Sequence, residues 1–403
     1  MASSGERGEE GGEKPWTPHE IADRAGQLDP YPFFKEIRDD APLRYDPERD
    51  IFDIVGYDAV VESITSHEQF TRRNTSFING SLLSTGEPIH SKLRGMAQDY
   101  FQPGFLKREY EPKIEERVDE LLDAALAGDD RIDFVEEFAK PLPILIIAEL
   151  LNVPSEQMET FRKWSATLAT APEDTSPEAA AALQEKQGKA MGELQDLFEA
   201  EIERRERSPI EDIITNHIRT ERESNLVDRS NVLANLSMLL IAGNVTTTQY
   251  LSNAIWTFDE EDVIDGLHDG TIPLMDALEE VLRYRSPVMP GKRIATEDTE
   301  IAGQEITKGQ RIVGWLSAAN RDPDVFEDPD EFWPGRTNEK EPIPFGKGIH
   351  YCLGAPLANM EARVFFRKFL DRVDDWEVAT DDIDPFFSSE IYGPKQLPVR
   401  VST

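Results

Sequence analysis

The single cysteine of this 403-residue chain, Cys352, stands in FGKGIHYCLGAPLA, residues 345–358. Downstream, apolar residues recur at Leu353, Leu357, Met360, Val364, Phe365 and Phe369, a helical spacing. The pattern predicts a sulfur at a helix N-terminus, where unpaired N–H groups and the positive end of the helix dipole favour thiolate over thiol and make a metal ligand. Pro356 suits a first helical turn, which has no N–H bond to lose. Glycines at 346, 348 and 354 let a flat ligand come close to the backbone. An arbitrary lone cysteine is more often a small buried hydrophobe, so the surrounding residues have to decide.

Three other stretches could serve such a site. NVLANLSMLLIAGNVTTTQYLSNAIWTF, residues 231–258, is apolar nearly all round and predicts a helix through the core. Gly243 in its middle costs about 1 kcal/mol relative to alanine, and Thr246, Thr247 and Thr248 are mediocre helix formers. Threonine hydroxyls bonded back to carbonyls one turn earlier can bend a helix, either for packing or to open a groove for a ligand. Glu280 and Arg283 in ALEEVLRYRSPV lie three apart and share a helix face. His90 and Arg94 in HSKLR, four apart, do the same.

The order of Phe345, Gly346, Gly348, His350, Cys352, Gly354, Leu357 and Ala358 resembles the haem-ligand loop of the cytochromes P450. The resemblance runs from about Asp29 to Val401 and implies that family's fold, mainly α with small β-sheets in a single domain. It implies haem b as cofactor and Cys352 as the axial thiolate on iron, the ligation that favours O–O cleavage. No CxxCH is present, so covalent haem attachment is not expected. Phe345, Gly346 and Gly354 become haem-loop positions, and His90, Arg94, Arg293 and His350 become partners for the two propionates. AGNVTT, 242–247, resembles the oxygen-binding segment, with Ala242 and Gly243 facing the haem and Thr246 ordering water towards the distal oxygen. Glu280 and Arg283 match the family's buried ExxR pair, joined by Arg336 from a later meander.

Two positions depart from the pattern: Val245 replaces the usual acid before the threonine, and Asn359 replaces a common arginine. Without that acid, protons must arrive through Thr246 and ordered water. The resemblance implies insertion of one oxygen atom from O2 into an apolar small molecule, with electrons from a ferredoxin or similar donor. One alternative is a peroxygenase, against which stands the lack of an arginine above the haem. Another is a haem protein that senses a ligand without turnover, which Val245 keeps open. Expected pocket walls are Ala242, Val245, Pro287, Val288, Met289, residues 387–391 and the loop 70–88. They suit fatty acids, terpenoids and steroids alike.

Composition bounds the setting. With 79 acidic against 43 basic residues the net charge is -36, which disfavours nucleic acid and anionic membranes. Repulsion within such a surface fades in molar salt, where the screening length is about 3 Å, so a high-salt cytoplasm is expected. One cysteine allows no intramolecular disulfide, and MASSGERGEEGGEK has no apolar run of a signal peptide. PLPILIIAELL, 141–151, is too short to span a bilayer. A soluble, cytoplasmic, monomeric protein is expected. Local net charges of +2 over 341–370 (Lys347, Arg363, Arg367 and Lys368 against Glu341 and Glu361) and over 91–109 predict a docking face for an acidic electron donor.

Residues 1–20 are expected to be a disordered acidic segment and 21–403 the haem domain. Strands are expected around 43–55 and within RIATEDTEIAGQEITKGQRIVGWL, with helices dominating 89–230. IYGPKQLPVRV predicts a final hairpin or edge strand.

Overall fold

The computed structural model describes residues 15–403 except 74, 76, 77, 129, 169, 171–175 and 389. Its longest helix is the one the apolar run predicts, Arg229–Glu260, here the central helix. A reciprocal capping box starts it: Asp228 accepts from the Asn231 N–H, and the Asn231 side chain accepts from the Asp228 N–H, both at 3.1 Å. Leu236, Leu240, Leu251, Ala254, Ile255 and Phe258 are all fully buried, so hydrophobic burial on every side outweighs the poor propensity of its glycine and threonines. No break interrupts the helix at Gly243; the Thr246 hydroxyl bonds back to the Ala242 carbonyl at 2.7 Å within a continuous ladder.

The cysteine helix, Ala355–Leu370, buries Phe365, Phe366 and Phe369 on one face. Phe365 and Phe369 stack at 5.5 Å, and Phe134 meets Phe365 edge-on at the same separation. Its polar face lies along the helix Glu111–Ala125 in a ladder of ion pairs. Arg363 reaches Glu111 at 2.7 Å, Lys368 reaches Asp119 at 2.8 Å, Arg372 just past the helix reaches Asp123 at 2.7 Å, and Arg367 pairs with Glu115. Acids every four residues fall on one helix face, which lets a single stripe meet all four cations.

Three sheets complete the fold. β1 (Leu43–Asp46), β2 (Ile51–Ile54), β8 (Arg311–Trp315), β5 (Pro290–Ala295) and β3 (Phe70–Thr71) form one in that order, with only β2 and β8 parallel. β6 (Thr299–Ile301) and β7 (Gln304–Ile306) make a hairpin. β4 (Arg131–Asp133), β10 (Pro398–Ser402) and β9 (Asp375–Val378) form the third, with β10 in the middle. The tail is therefore neither an edge strand nor half of a local hairpin; its β4 partner lies far away in sequence, beyond the reach of local patterning.

The expected N-terminal segment also changes. Residues 1–14 lie outside the described part, whereas residues 15–20 pack on the domain: the Trp16 ring lies under Arg311 at 5.0 Å, and its carbonyl accepts from Arg49 at 2.9 Å. One tryptophan gives this acidic stretch an anchor that average composition hides. Among the described residues no helix is long and apolar enough to cross a membrane.

Candidate active site

The eleven residues that the sequence reading assigned to haem and oxygen, His90, Arg94, Ala242, Gly243, Thr246, Arg293, Phe345, Gly346, His350, Cys352 and Gly354, line one cavity of about 270 Å3. The cysteine loop is closed by the Cys352 N–H, which donates to the Phe345 carbonyl at 3.0 Å. Gly346 and Gly348 turn it with φ of 69° and 74°, and a Cβ at Gly348 would meet the Cα of Thr65 at 3.3 Å. Left-handed backbone and lack of room both demand glycine there.

The sulfur faces the cavity three residues before the first residue of the cysteine helix. The N–H groups of Gly354 and Ala355 hydrogen-bond it and pull its pKa down, as the helix terminus predicts, but burial outweighs them and pushes the thiol up. The expected thiolate is thus not a gift of the helix dipole alone. It needs a cation at the sulfur, which reverses the local cost of the charge.

Opposite stands the central helix. Ala242 and Gly243 present almost no side chain, and a Cβ on Gly243 would meet only Ile147 Cδ1, at 3.9 Å. Leu82, Leu83, Ile147, Met238, Leu239 and Val288 supply an apolar lining around them. Of the expected walls, Ala242, Pro287 and Val288 line the cavity; Val245, Met289 and the described residues of 387–391 do not. Met289 turns instead into the core cluster that holds Phe34 and Trp315.

A cationic rim closes one side. Arg94 donates to the Tyr351 carbonyl at 2.9 Å, tying the helix Ile89–Ala97 to the cysteine loop. His90 and His350 meet edge-on at 4.5 Å. Arg293, 3 % exposed, donates among the described residues only to the carbonyls of Lys292 and Ile64, at 2.9 and 3.2 Å. Burial pushes His90 and Arg293 down, and burial together with Arg72 and Arg293 pushes His350 to about 2.

Beneath the loop, outside the cavity, Arg283 grips both oxygens of Glu280 at 2.9 and 2.7 Å, and Arg336 Nε adds a third bond at 3.2 Å. The remaining guanidinium protons go to carbonyls: Arg283 to Asn320 and Pro329 at 3.0 and 2.7 Å, and Arg336 to Glu331 at 2.9 Å. Asn320 then accepts from the Ile343 N–H at 2.7 Å, two residues before the cysteine loop. The network therefore holds the strand of backbone that leads into that loop.

These features have close counterparts. A family model described as cytochrome P450 matches residues 270–396. The chain is 35% identical to the putative cytochrome P450 YjiB of Bacillus subtilis, over 92% of this chain and 94% of the relative. It is 34% identical to cytochrome P450 109 of Bacillus spizizenii, over 95% and 94%. The chain belongs to the cytochrome P450 family.

In solved structures this P450 is similar to CYP109E1 from Bacillus megaterium in complex with testosterone, with TM-score 0.85, 33% identity, and 94% of this chain and 99% of that one covered. It is also similar to CYP109B1 from Bacillus subtilis, with TM-score 0.83, 35% identity, and coverage of 93% and 100%. It is an oxidoreductase of the monooxygenase type, and its cofactor is iron protoporphyrin IX. The residues fit that group. Among the described residues both ring nitrogens of buried His90 lack a hydrogen-bond partner, Nδ1 standing 3.4 Å from Glu87 without bonding geometry. Among the described residues no carboxylate pairs with Arg94 or Arg293, so the rim awaits an anion.

Two charged lining residues were given no role in the sequence reading. Arg72, just past β3, stands in the loop 70–88 that the sequence reading expects as pocket wall, without a role of its own. Glu361 counts there as a surface charge, yet it is 2 % exposed, its Oε2 has no partner among the described residues, and burial pushes it up to about 8. For Glu361 the signal is its place on the buried side of the cysteine helix, between Ala358 and Phe365.

Proposed function

We propose that this P450 inserts one oxygen atom from O2 into an apolar small molecule, drawing electrons from a ferredoxin-type donor and working as a cytoplasmic monomer. What carries this reading is one cavity with a cysteine sulfur on one side and, on the other, a helix stripped to Ala242 and Gly243 beside apolar walls. In it Cys352 ligates the iron, Phe345, Gly346 and Gly354 shape the loop against the porphyrin, and His90, Arg94, Arg293 and His350 hold its propionates. Bound haem supplies the activation of O2 and the oxygen transfer. Thr246 Oγ1, whose proton is given to the Ala242 carbonyl, keeps lone pairs that order a water in the cavity. With Val245 offering no proton, delivery runs through water that this hydroxyl positions.

The donor docks where cations are free. Arg363, Arg367 and Lys368 are neutralised by the helix Glu111–Ala125, and Arg108 by Glu109. Among the described residues Lys92, Lys107 and Lys347 are exposed and without an ion-pair partner. The docking charge therefore centres on Lys347 of the cysteine loop, and Lys347→Glu slows reduction by an acidic donor while Lys368→Glu acts through stability; equal reduction rates in Lys347→Glu and the parent chain reject the site.

Steroids are the first substrates to try, because CYP109E1 has been crystallised with testosterone and with corticosterone. Ligands are ranked by the shift of the haem absorption band. Turnover is then compared with O2 and a reductase system, with peroxide alone, and with neither. Product only in the first arm supports the monooxygenase reading; product with peroxide alone marks a peroxygenase, and binding without product marks a sensor.

A further inference from the structure

We propose that Arg72 and Arg293 form an arginine pair that clamps one carboxylate of the bound porphyrin, a role that rests on haem filling the cavity. β3 and β5 pair antiparallel with Phe70 opposite Ala295 and Thr71 opposite Ile294. Continued by one residue, that register sets Arg72 opposite Arg293. Opposed residues on antiparallel neighbours project to the same face, where like charges repel. Both arginines line the cavity. Neither has a carboxylate partner among the described residues: Arg293 is confined to two backbone carbonyls, and Arg72 Nε is buried without any partner. Glu390, the acid whose field reaches Arg72, is engaged by Lys292 at 2.7 Å. Arg293 is buried and Arg72 half-buried, so two guanidiniums set opposite each other are relieved by an anion between them, and a carboxylate has the two oxygens to accept from both.

The occupant is identified by its neighbours. The field of Arg72 is felt by His90, Arg293 and His350, three of the four groups that ring the porphyrin edge. A substrate carboxylate would have to compete for the same donors against propionates that are always present. Arg72 also opens the segment that carries Leu82 and Leu83 into the cavity wall. Clamping it therefore ties the start of that wall to the cofactor.

The test uses holoenzyme carrying Arg72→Gln, Arg72→Lys or Arg293→Gln, with haem transfer to excess apomyoglobin and the reduction midpoint potential as readouts. Losing a charge-assisted bond to a propionate predicts haem loss faster by about tenfold or more in Arg72→Gln, with partial recovery in Arg72→Lys. The midpoint potential falls in Arg72→Gln, because a positive charge that favours the reduced iron is gone. The Arg72→Gln, Arg293→Gln double variant loses haem more slowly than the product of the single effects, since both donors serve one carboxylate. Haem loss and potential unchanged in Arg72→Gln, while Arg293→Gln sheds haem, overturn the assignment. So does an Arg72→Gln effect confined to the affinity of carboxylate-bearing ligands. The thiolate-type carbonyl band, read on every protein, separates this from the haem reading itself: its absence from the parent chain would sink both, and its presence in every variant leaves Arg72 alone on trial.

Discussion

Glu361→Gln isolates the energetic cost of one buried carboxyl. Glu361 lines the cavity from the cysteine helix, is 2 % exposed, and has an Oε2 with no hydrogen-bond partner among the described residues. The cations on the same helix are spent on Glu111, Glu115 and Asp119. Nothing offsets desolvation, and the carboxyl that ordinarily ionises at 4.5 is pushed up to about 8. Between those values the folded chain keeps a proton that the unfolded chain has released, so stability falls as pH rises. At about 1.4 kcal/mol per pH unit the loss reaches about 5 kcal/mol and levels off above pH 8. Glutamine keeps the shape and cannot titrate. Urea unfolding of the holoenzyme at pH 5, 7 and 9 should give similar midpoints for parent and variant at pH 5, and a variant progressively more stable towards pH 9. Taking the difference between the two proteins cancels every other titrating group. A difference that stays flat across this range would refute the reasoning.

Three further outcomes follow from the same geometry. Arg336→Ala leaves the buried Glu280 short of one donor and the meander carbonyls unpaired, so stability should drop by about 3 kcal/mol with easier haem loss, read by thermal melting and the carbonyl band; an unchanged melting temperature would count against the network. Val245→Glu restores an acid one residue before Thr246, and the ratio of product formed to electrons consumed should rise; the same ratio in both proteins would mean that water already supplies the protons. With a net charge of -36, the unfolding midpoint should rise from dilute buffer to multimolar KCl, and a midpoint indifferent to salt would remove the case for a high-salt setting.

Much of the site was legible because its signals are local. The glycines at 346 and 348 answer to backbone geometry within one loop, the apolar run at 231–258 to helical periodicity, and the Glu280–Arg283 pair to a three-residue spacing that any helix turns into a contact. The family order around Cys352 then assigned roles, and all eleven expected residues line one cavity. Sequence spacing misplaced the walls at Val245 and Met289, because the side chain's direction depends on which elements pack on either side.

By itself, then, the chain's sequence determined the main helices and the strands within 43–55 and 293–316, where the cysteine loop must turn, and which family of chemistry the loop serves, since periodicity and turn preferences act over a few residues. Only the tertiary structure decided that β10 sits mid-sheet, that four expected docking cations are already paired, that Glu361 is a buried acid, and that Arg72 and Arg293 come to line one cavity. Charge state and pairing depend on which distant groups the fold brings within a few ångströms and how much water it removes, and neither quantity is written in local spacing.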